Sequence, residues 1–251
     1  MIVNSWLEDM MNVIRLEETD STNNYAKSHI GNLVDRSVVH ALRQTNGRGR
    51  FNRSWVDLGD GNLFFSIVLK PSEYFNSVYT NITQYACLKL ANIFENYGLN
   101  AKIKWPNDVM IDGNRKISGI LSETVIEAGK LKGIVVGIGV NLNCKKDDVN
   151  NIKGRVATAL NLETGSPVNM DKFLEEFLNE FFADYDEFLA KGFNYIRSEY
   201  IKKSCFLNKD LSVQVLNEIK FGYAKDVNAS GELILETAND KDLVLTIGDI
   251  L

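Results

Sequence analysis

Apolar residues in the first half of the chain fall in short bursts of strand length. Asn12 to Glu18, Ser37 to Leu42, Ala101 to Trp105 and the run LFFSIVL, ended by Lys70 and Pro71, each predict a strand. LKGIVVGIGVNL, Leu131 to Leu142, is the strongest strand signal of the chain. Helical spacing replaces this texture from Ser77 to Tyr97, ended by Gly98 as a C-cap, and again from Met170 to Leu189 and from Gly192 to Lys202. A further short helix is expected after Thr19, with Asp20 or Ser21 as its cap. Asp112-Gly113 is a hairpin signal between VMI and KISGIL, and Ala128-Gly129 begins another turn.

After Cys205 the pattern becomes four short strands, LSVQVL, FGYAKDV, GELILE and DLVLTI, which predict a small barrel of about 45 residues. Hairpin strands mixed with packed helices imply an α+β fold with a mixed or antiparallel sheet rather than a doubly wound parallel one. Residues 1–203 then form the main domain and 204–251 the small β-barrel. Met10, Met11 and the aromatic residues between 177 and 188 read as packing residues.

Composition narrows the class. The 251 residues carry a net charge of -5, which disfavours a general polyanion binder. No basic leader precedes an apolar stretch, and no apolar run is long enough to span a bilayer. Cys87, Cys144 and Cys205 form no CxxC, and there are two histidines, so neither a zinc site nor a disulfide framework is expected. A reducing cytoplasm fits best. His29 reads as a surface helix residue and His40 as a satisfied core or edge residue.

Against this acidic background, QTNGRGRFNRSW (Gln44 to Trp55) concentrates three arginines and two glycines. It is not a dinucleotide turn, because no helix begins where a pyrophosphate would need its N-terminus, and it lacks the GK[ST] of a Walker loop. Asp57 and Asp60 follow at once, which argues against a nucleic-acid stripe. A solvated turn is the bland reading. The functional one is a loop whose Gly47 and Gly49 permit close backbone approach while Arg48 and Arg50 fork onto phosphate or carboxylate. Ordering such a segment costs about 1–2 kcal/mol per residue, so it should become fixed when an anionic ligand binds.

Four other stretches carry chemistry. In KWPNDV, Asn107 and Asp108 can orient a phosphate-bound magnesium ion, or merely end a strand. In RKISGILSE, Lys116 and Ser118 alternate with Ile117 and suit one strand face; Lys116 would offset phosphate charge, and Gly119 leaves room for a ligand. In GIVVGIGVNLN, Gly137 and Gly139 keep one face bare, either for dense packing or as a flat wall for a ring, with Asn141 at its polar exit. Ser21, Thr22 and Asn23 of TDSTNN either cap a helix or bind a small uncharged polar group. No Ser-His-Asp or Cys-His arrangement is legible.

ETDSTN, QTNGRGRFNRSW, KWPNDV, KISGIL and GIGVNLN, in this order and followed by FGYAKDVNASGELIL, resemble the biotin–protein ligase family over most of the chain. The resemblance implies a catalytic domain like that of class II aminoacyl-tRNA synthetases, joined to an SH3-like barrel. It implies ATP-dependent formation of biotinyl-5'-AMP, then transfer of biotin to one lysine of a biotin carboxyl carrier domain. Ser21, Thr22 and Asn23 would lie near the ureido ring with Gln44 beside them. Gly47, Arg48, Gly49 and Arg50 would close over biotin and the adenylate. Lys116 would contact the biotin carboxylate and α-phosphate, Gly119, Gly137 and Gly139 would line the pocket, Asn141 would contact the adenine side, and Asp108 would help place Mg2+.

Where the family usually has glycine, this chain has Asn52, a residue that tolerates left-handed backbone. The catalytic-like motifs begin too early to leave room for the DNA-binding domain of longer members, so no nucleic-acid role is expected, and no membrane. A lipoate–protein ligase and a non-catalytic biotin or nucleotide sensor are the other readings. Monomer and homodimer both remain open, the latter by pairing of a Leu131–Leu142 edge.

Overall fold

The computed structural model describes residues 12–59, 61–71, 77–152, 154 and 156–251. Met10 and Met11 lie outside them. The chain divides into two compact units, one made of the chain through Asn76 with Lys116–Glu175, the other of Ser77–Arg115 with Glu176–Leu251.

The first unit is built on strands β1 (Val13–Thr19), β2 (Val38–Gln44), β3 (Asn62–Leu69), β6 (Arg115–Glu127) and β7 (Lys130–Asn141), in the order β1-β2-β3-β7-β6. Only β1 and β2 run parallel; β2 with β3, β3 with β7, and β7 with β6 are antiparallel. All eight residues of β3 are buried, as a continuous apolar run predicts for a strand covered on both faces. Helix α1 (Thr22–Ser28) lays Ala26, with Ile30 beyond its end, against Leu33, Val39, Val68 and Val135. Each large aliphatic side chain buried this way contributes about 1.5–3 kcal/mol.

β7 corrects one expectation. Leu131 to Leu142 is not an exposed edge, because β7 is hydrogen-bonded to β3 on one side and β6 on the other. From Ile134 to Val140 it is flanked by a paired strand on both sides, so this stretch cannot pair with a second copy. Two short helices that the pattern did not predict, α3 (Lys146–Asn150) and α4 (Leu160–Thr164), follow it. Five residues are too few for a helical period to stand out.

The second unit holds the hairpin β4 (Ala101–Lys104) and β5 (Asp108–Ile111), helix α2 (Ile82–Asn96), and helices α6 (Tyr185–Lys191) and α7 (Phe193–Lys203). The helix expected from Met170 to Leu189 is two: α5 (Met170–Ala183) ends at Asp184, where the backbone leaves the helical region (φ -133°, ψ 19°). The Asp184 carboxylate accepts from the Tyr85 hydroxyl at 2.6 Å and pairs with the ammonium of buried Lys89 at 2.7 Å, which explains the break. Tyr85 stacks on Phe188, and Phe177, Phe181 and Phe188 are fully buried, as their apolar spacing indicated.

The C-terminal strands β8 (Asp210–Val215), β9 (Glu218–Val227), β10 (Leu233–Glu236), β11 (Leu243–Leu245) and β12 (Asp249–Ile250) form a five-stranded sheet in the order β11-β10-β9-β8-β12. The two-residue β12 was not legible from the sequence pattern.

Candidate active site

A polar floor lies at the start of α1. Ser21, Thr22, Asn23, Gln44 and Ser66 are all buried in the first unit. The Thr22 backbone N–H donates to Gln44 Oε1 at 2.8 Å. Ser66 Oγ lies 2.8 Å from Thr22 Oγ1 and donates to Asn23 Oδ1 at 2.7 Å. Ser21 occupies the N-cap of α1 without a side-chain capping bond; Asp20 instead accepts from the Ser21 N–H at 2.7 Å and from Asn24 Nδ2 at 2.6 Å. The sequence reading passed over Ser66. Its signal was a lone hydroxyl inside LFFSIVL, which a buried strand tolerates only with a partner.

Beside this floor, the bare glycine face is covered by a ring of the chain itself. Gly119 and Gly139 are direct partners across β6 and β7. A Cβ on either would lie 2.7 or 2.8 Å from the indole of Trp55. A Cβ on Gly137, two residues along, would lie 2.1 Å from Asn23 Oδ1. Trp55 was not assigned a role from the sequence, and its indole N–H is buried without a hydrogen-bond partner among the described residues. Lys116 Nζ stands 5.3 Å from the centre of the Trp55 ring, within cation–π range. The Lys116 backbone is tied by its N–H to Val156 O and by its carbonyl to the Thr158 N–H, each at 2.9 Å. Ser118 points its hydroxyl back to Gly139 O at 2.7 Å.

The arginine loop folds on itself. Trp55 N–H donates to Gly47 O at 2.9 Å, Gly49 N–H to Arg53 O at 2.7 Å, and Arg53 N–H to Arg50 O at 3.1 Å. The loop thus has backbone bonds of its own, where the sequence suggested that a ligand alone would fix it. Arg50, Phe51 and Asn52 form a 3-10 turn in which Phe51 takes the left-handed conformation (φ 53°, ψ 41°), one position before the expected Asn52. That conformation costs a non-glycine residue about 1–2 kcal/mol. The Arg50 guanidinium lies 4.9 Å from the Phe51 ring centre.

Arg48 reaches the polar floor through a residue the sequence reading did not single out. Its Nη1 donates to Glu123 Oε1 at 3.2 Å and to Asn24 Oδ1 at 3.1 Å. The same Oε1 pairs with Lys27 Nζ at 2.6 Å, and Glu123 Oε2 accepts from Asn23 Nδ2 at 2.9 Å. Burial pushes the Glu123 carboxyl up, but the hydrogen bonds from Lys27 and Asn23 and the charges of Lys27 and Arg48 outweigh it and hold the group below its ordinary value. The signal was the period of two, which sets Gly119 and Glu123 on the same face of β6.

The remaining expected residues lie elsewhere. Asn141 is buried, accepting from Asn62 Nδ2 and donating to Thr158 O, both at 2.9 Å, so part of its amide is committed within the sheet end. Asp108 belongs to the second unit, opposite Lys104 in the β4–β5 hairpin, whose turn contains a cis Trp105–Pro106 bond. Trp105 is buried.

Among the described residues, no three His, Cys, Asp or Glu side chains gather to hold a metal unaided. A lone carboxylate fits Mg2+ only as a partial site, with oxygens from a phosphate ligand completing it. His29 is exposed and stacked on Tyr25. His40 is buried, but its Nε2 has no partner among the described residues, so it is not the satisfied histidine expected. Burial and the charge of Arg15 lower its pKa to about 4. Burial pushes the Cys144 thiol up to about 12. No helix among the described residues is long and apolar enough to cross a membrane.

This geometry has relatives. The Bacillus spizizenii bifunctional ligase/repressor BirA is 27% identical over 206 residues, covering 82% of this chain and 63% of that protein. The chain thus spans less than two thirds of the length of that relative. The biotin–[acetyl-CoA-carboxylase] ligase of Paracoccus denitrificans is 28% identical, with 88% of this chain and 92% of that one covered. The Aquifex aeolicus biotin protein ligase, solved in complex with biotin and ATP, superposes with a TM-score of 0.81 at 26% identity, over 96% of this chain and 97% of that one. The profile of the biotin/lipoate A/B protein ligase family matches residues 16–141, just over half of the 251 residues. The chain belongs to the biotin/lipoate A/B protein ligase family.

Proposed function

We propose that the protein is an ATP-dependent biotin–protein ligase. The observation that carries the proposal is a linear order of chemistry on one sheet face. A buried uncharged polar set lies at Asn23 against Gly137, an aromatic floor at Trp55 against Gly139, and a cation at Lys116 above that ring. Residues two apart on a strand are about 7 Å apart. A ligand with a neutral ureido head, an aliphatic middle and a carboxylate end suits that order. Biotin has this form. Relatives named as biotin ligases, one covered over 92% of its length, support the same reading.

In the first step a biotin carboxylate oxygen attacks the α-phosphorus of ATP. The new P–O bond forms as the bond to pyrophosphate breaks, leaving biotinyl-5'-AMP. Ser21, Thr22, Asn23 and Gln44 hold the ureido group, and Lys116 with Arg48 and Arg50 offsets the charge developing on the phosphate. Gly47 and Gly49 belong to the loop that would close over the adenylate, Gly119 lets the Trp55 indole lie close against β6, and Asn141 would stand on the adenine side. Mg2+ carried on the ATP phosphates would lower their repulsion toward the carboxylate.

In the second step the amine of a carrier-domain lysine attacks the acyl carbon, loses a proton and expels AMP. No enzyme nucleophile is required, since positioning and electrostatics suffice. Residues 1–203 would carry this chemistry and 204–251 the small accessory domain, in a cytoplasmic setting that suits cysteines outside any disulfide.

The family description also covers lipoate ligases. ATP–pyrophosphate exchange separates the two readings: biotin should support exchange and lipoate should not. Exchange with lipoate alone would overturn the biotin reading, and exchange with neither would favour a sensor.

A further inference from the structure

Glu123 lies outside the residues assigned to substrate above, yet one carboxylate joins three elements around the site. Its Oε2 takes one Asn23 amide hydrogen at 2.9 Å, while Leu121 O takes the other at 3.0 Å and Ser66 donates to Asn23 Oδ1 at 2.7 Å. The Asn23 amide is therefore fixed in one orientation, with each of its polar atoms engaged. Glu123 Oε1 holds Lys27 of α1 at 2.6 Å and Arg48 of the loop at 3.2 Å. The carboxylate is mostly buried, its side chain 20% exposed, whereas Arg48 is more open at 37%.

We infer that Glu123 is a positioning residue that couples the arginine loop to the polar floor. It offers Arg48 a resting partner that an anionic ligand displaces, while Lys27 keeps the carboxylate neutralised after Arg48 leaves. Stranding a mostly buried carboxylate would oppose loop closure, and Lys27 removes that cost. The contacts assign a division of labour: Oε2 orients Asn23 toward the head of the ligand, and Oε1 sets how readily Arg48 is released. This rests on the ligase reading for the identity of the ligand, but not for the hold on Arg48.

Two measurements on the whole chain test it. The first is hydrogen exchange of residues 47–55 in the protein alone, at low and high salt. Glu123→Gln keeps an acceptor for Asn23 but removes the ion pair. It should speed loop exchange several-fold at low salt and abolish the salt dependence that the ion pair should give the native protein. The same exchange rates and salt response in both proteins would overturn the inference.

The second is biotin binding by calorimetry. Glu123→Gln should bind biotin within about threefold of the native protein, and Glu123→Ala should lose at least tenfold, a difference of about 1.4 kcal/mol or more. Lys27→Met, which strands the carboxylate when Arg48 leaves, should raise the KM for ATP with kcat less affected. Equal biotin affinity in the Gln and Ala variants would overturn the role assigned to Oε2, and an unchanged KM in Lys27→Met the role assigned to Lys27. Failure of the native protein to bind biotin would remove the ligase reading, while the exchange comparison would still decide whether Glu123 holds Arg48.

Discussion

Gly137→Ala is the smallest change that should disturb the polar floor. The added methyl would stand 2.1 Å from Asn23 Oδ1, far inside van der Waals contact. Asn23 cannot turn aside freely, because Ser66, Leu121 O and Glu123 hold its amide at 2.7, 3.0 and 2.9 Å. Moving it by more than 1 Å sacrifices one neutral hydrogen bond and one to a carboxylate, together about 2–4 kcal/mol. For a chain of this length that lowers Tm by roughly 5–15 °C.

Urea unfolding of the native protein, Gly137→Ala, Asn23→Ala and the double variant forms a closed cycle. With Asn23 truncated to alanine, the three atoms nearest the methyl are gone, so the alanine at 137 should then cost under about 1 kcal/mol, a coupling near 2 kcal/mol. If Gly137→Ala costs the same in both backgrounds, the clash with Asn23 is not its mechanism and the assigned geometry of the floor is wrong.

Other outcomes follow from the same contacts. His40, lowered to about 4, is neutral when folded, so the unfolded chain takes up the proton first as pH falls below its ordinary value of 6.5. Stability should therefore drop by about 3 kcal/mol between about pH 6.5 and pH 4, and no further from this group below that. Chemical denaturation at a series of pH values should show the slope, and His40→Phe should flatten it; an unchanged slope would remove His40 as its source. Lys116→Ala keeps the backbone bonds to Val156 and Thr158, so its unfolding midpoint should stay close to native while adenylate formation falls about 100-fold or more. Adenylate yield equal to native would strip Lys116 of its role.

The strand positions and the glycine period were legible because local pattern governs both. Gly119 and Gly139 leave one face bare whatever the neighbours are, and that was readable; which ring lies there is decided by the loop that returns Trp55, a non-local fact. Strand order is equally non-local. β7 reads as an apolar run, and only the register with β3 and β6 makes it central rather than an edge. Glu123 was visible in KISGILSE but carried no signal of its own, since its meaning comes from Lys27, Arg48 and Asn23, which are distant in sequence. The helix break at Asp184 likewise depends on Tyr85 and Lys89, about a hundred residues earlier.

The central claim is transfer of biotin to a protein lysine. Incubation of the protein with biotin, ATP, Mg2+ and a biotin carboxyl carrier domain, followed by mass spectrometry of the carrier, tests it directly. One biotinyl addition on a single lysine, dependent on ATP and lost in Lys116→Ala, is the expected result. A carrier that stays unmodified with biotin, or one that is modified only when lipoate replaces it, would contradict the account.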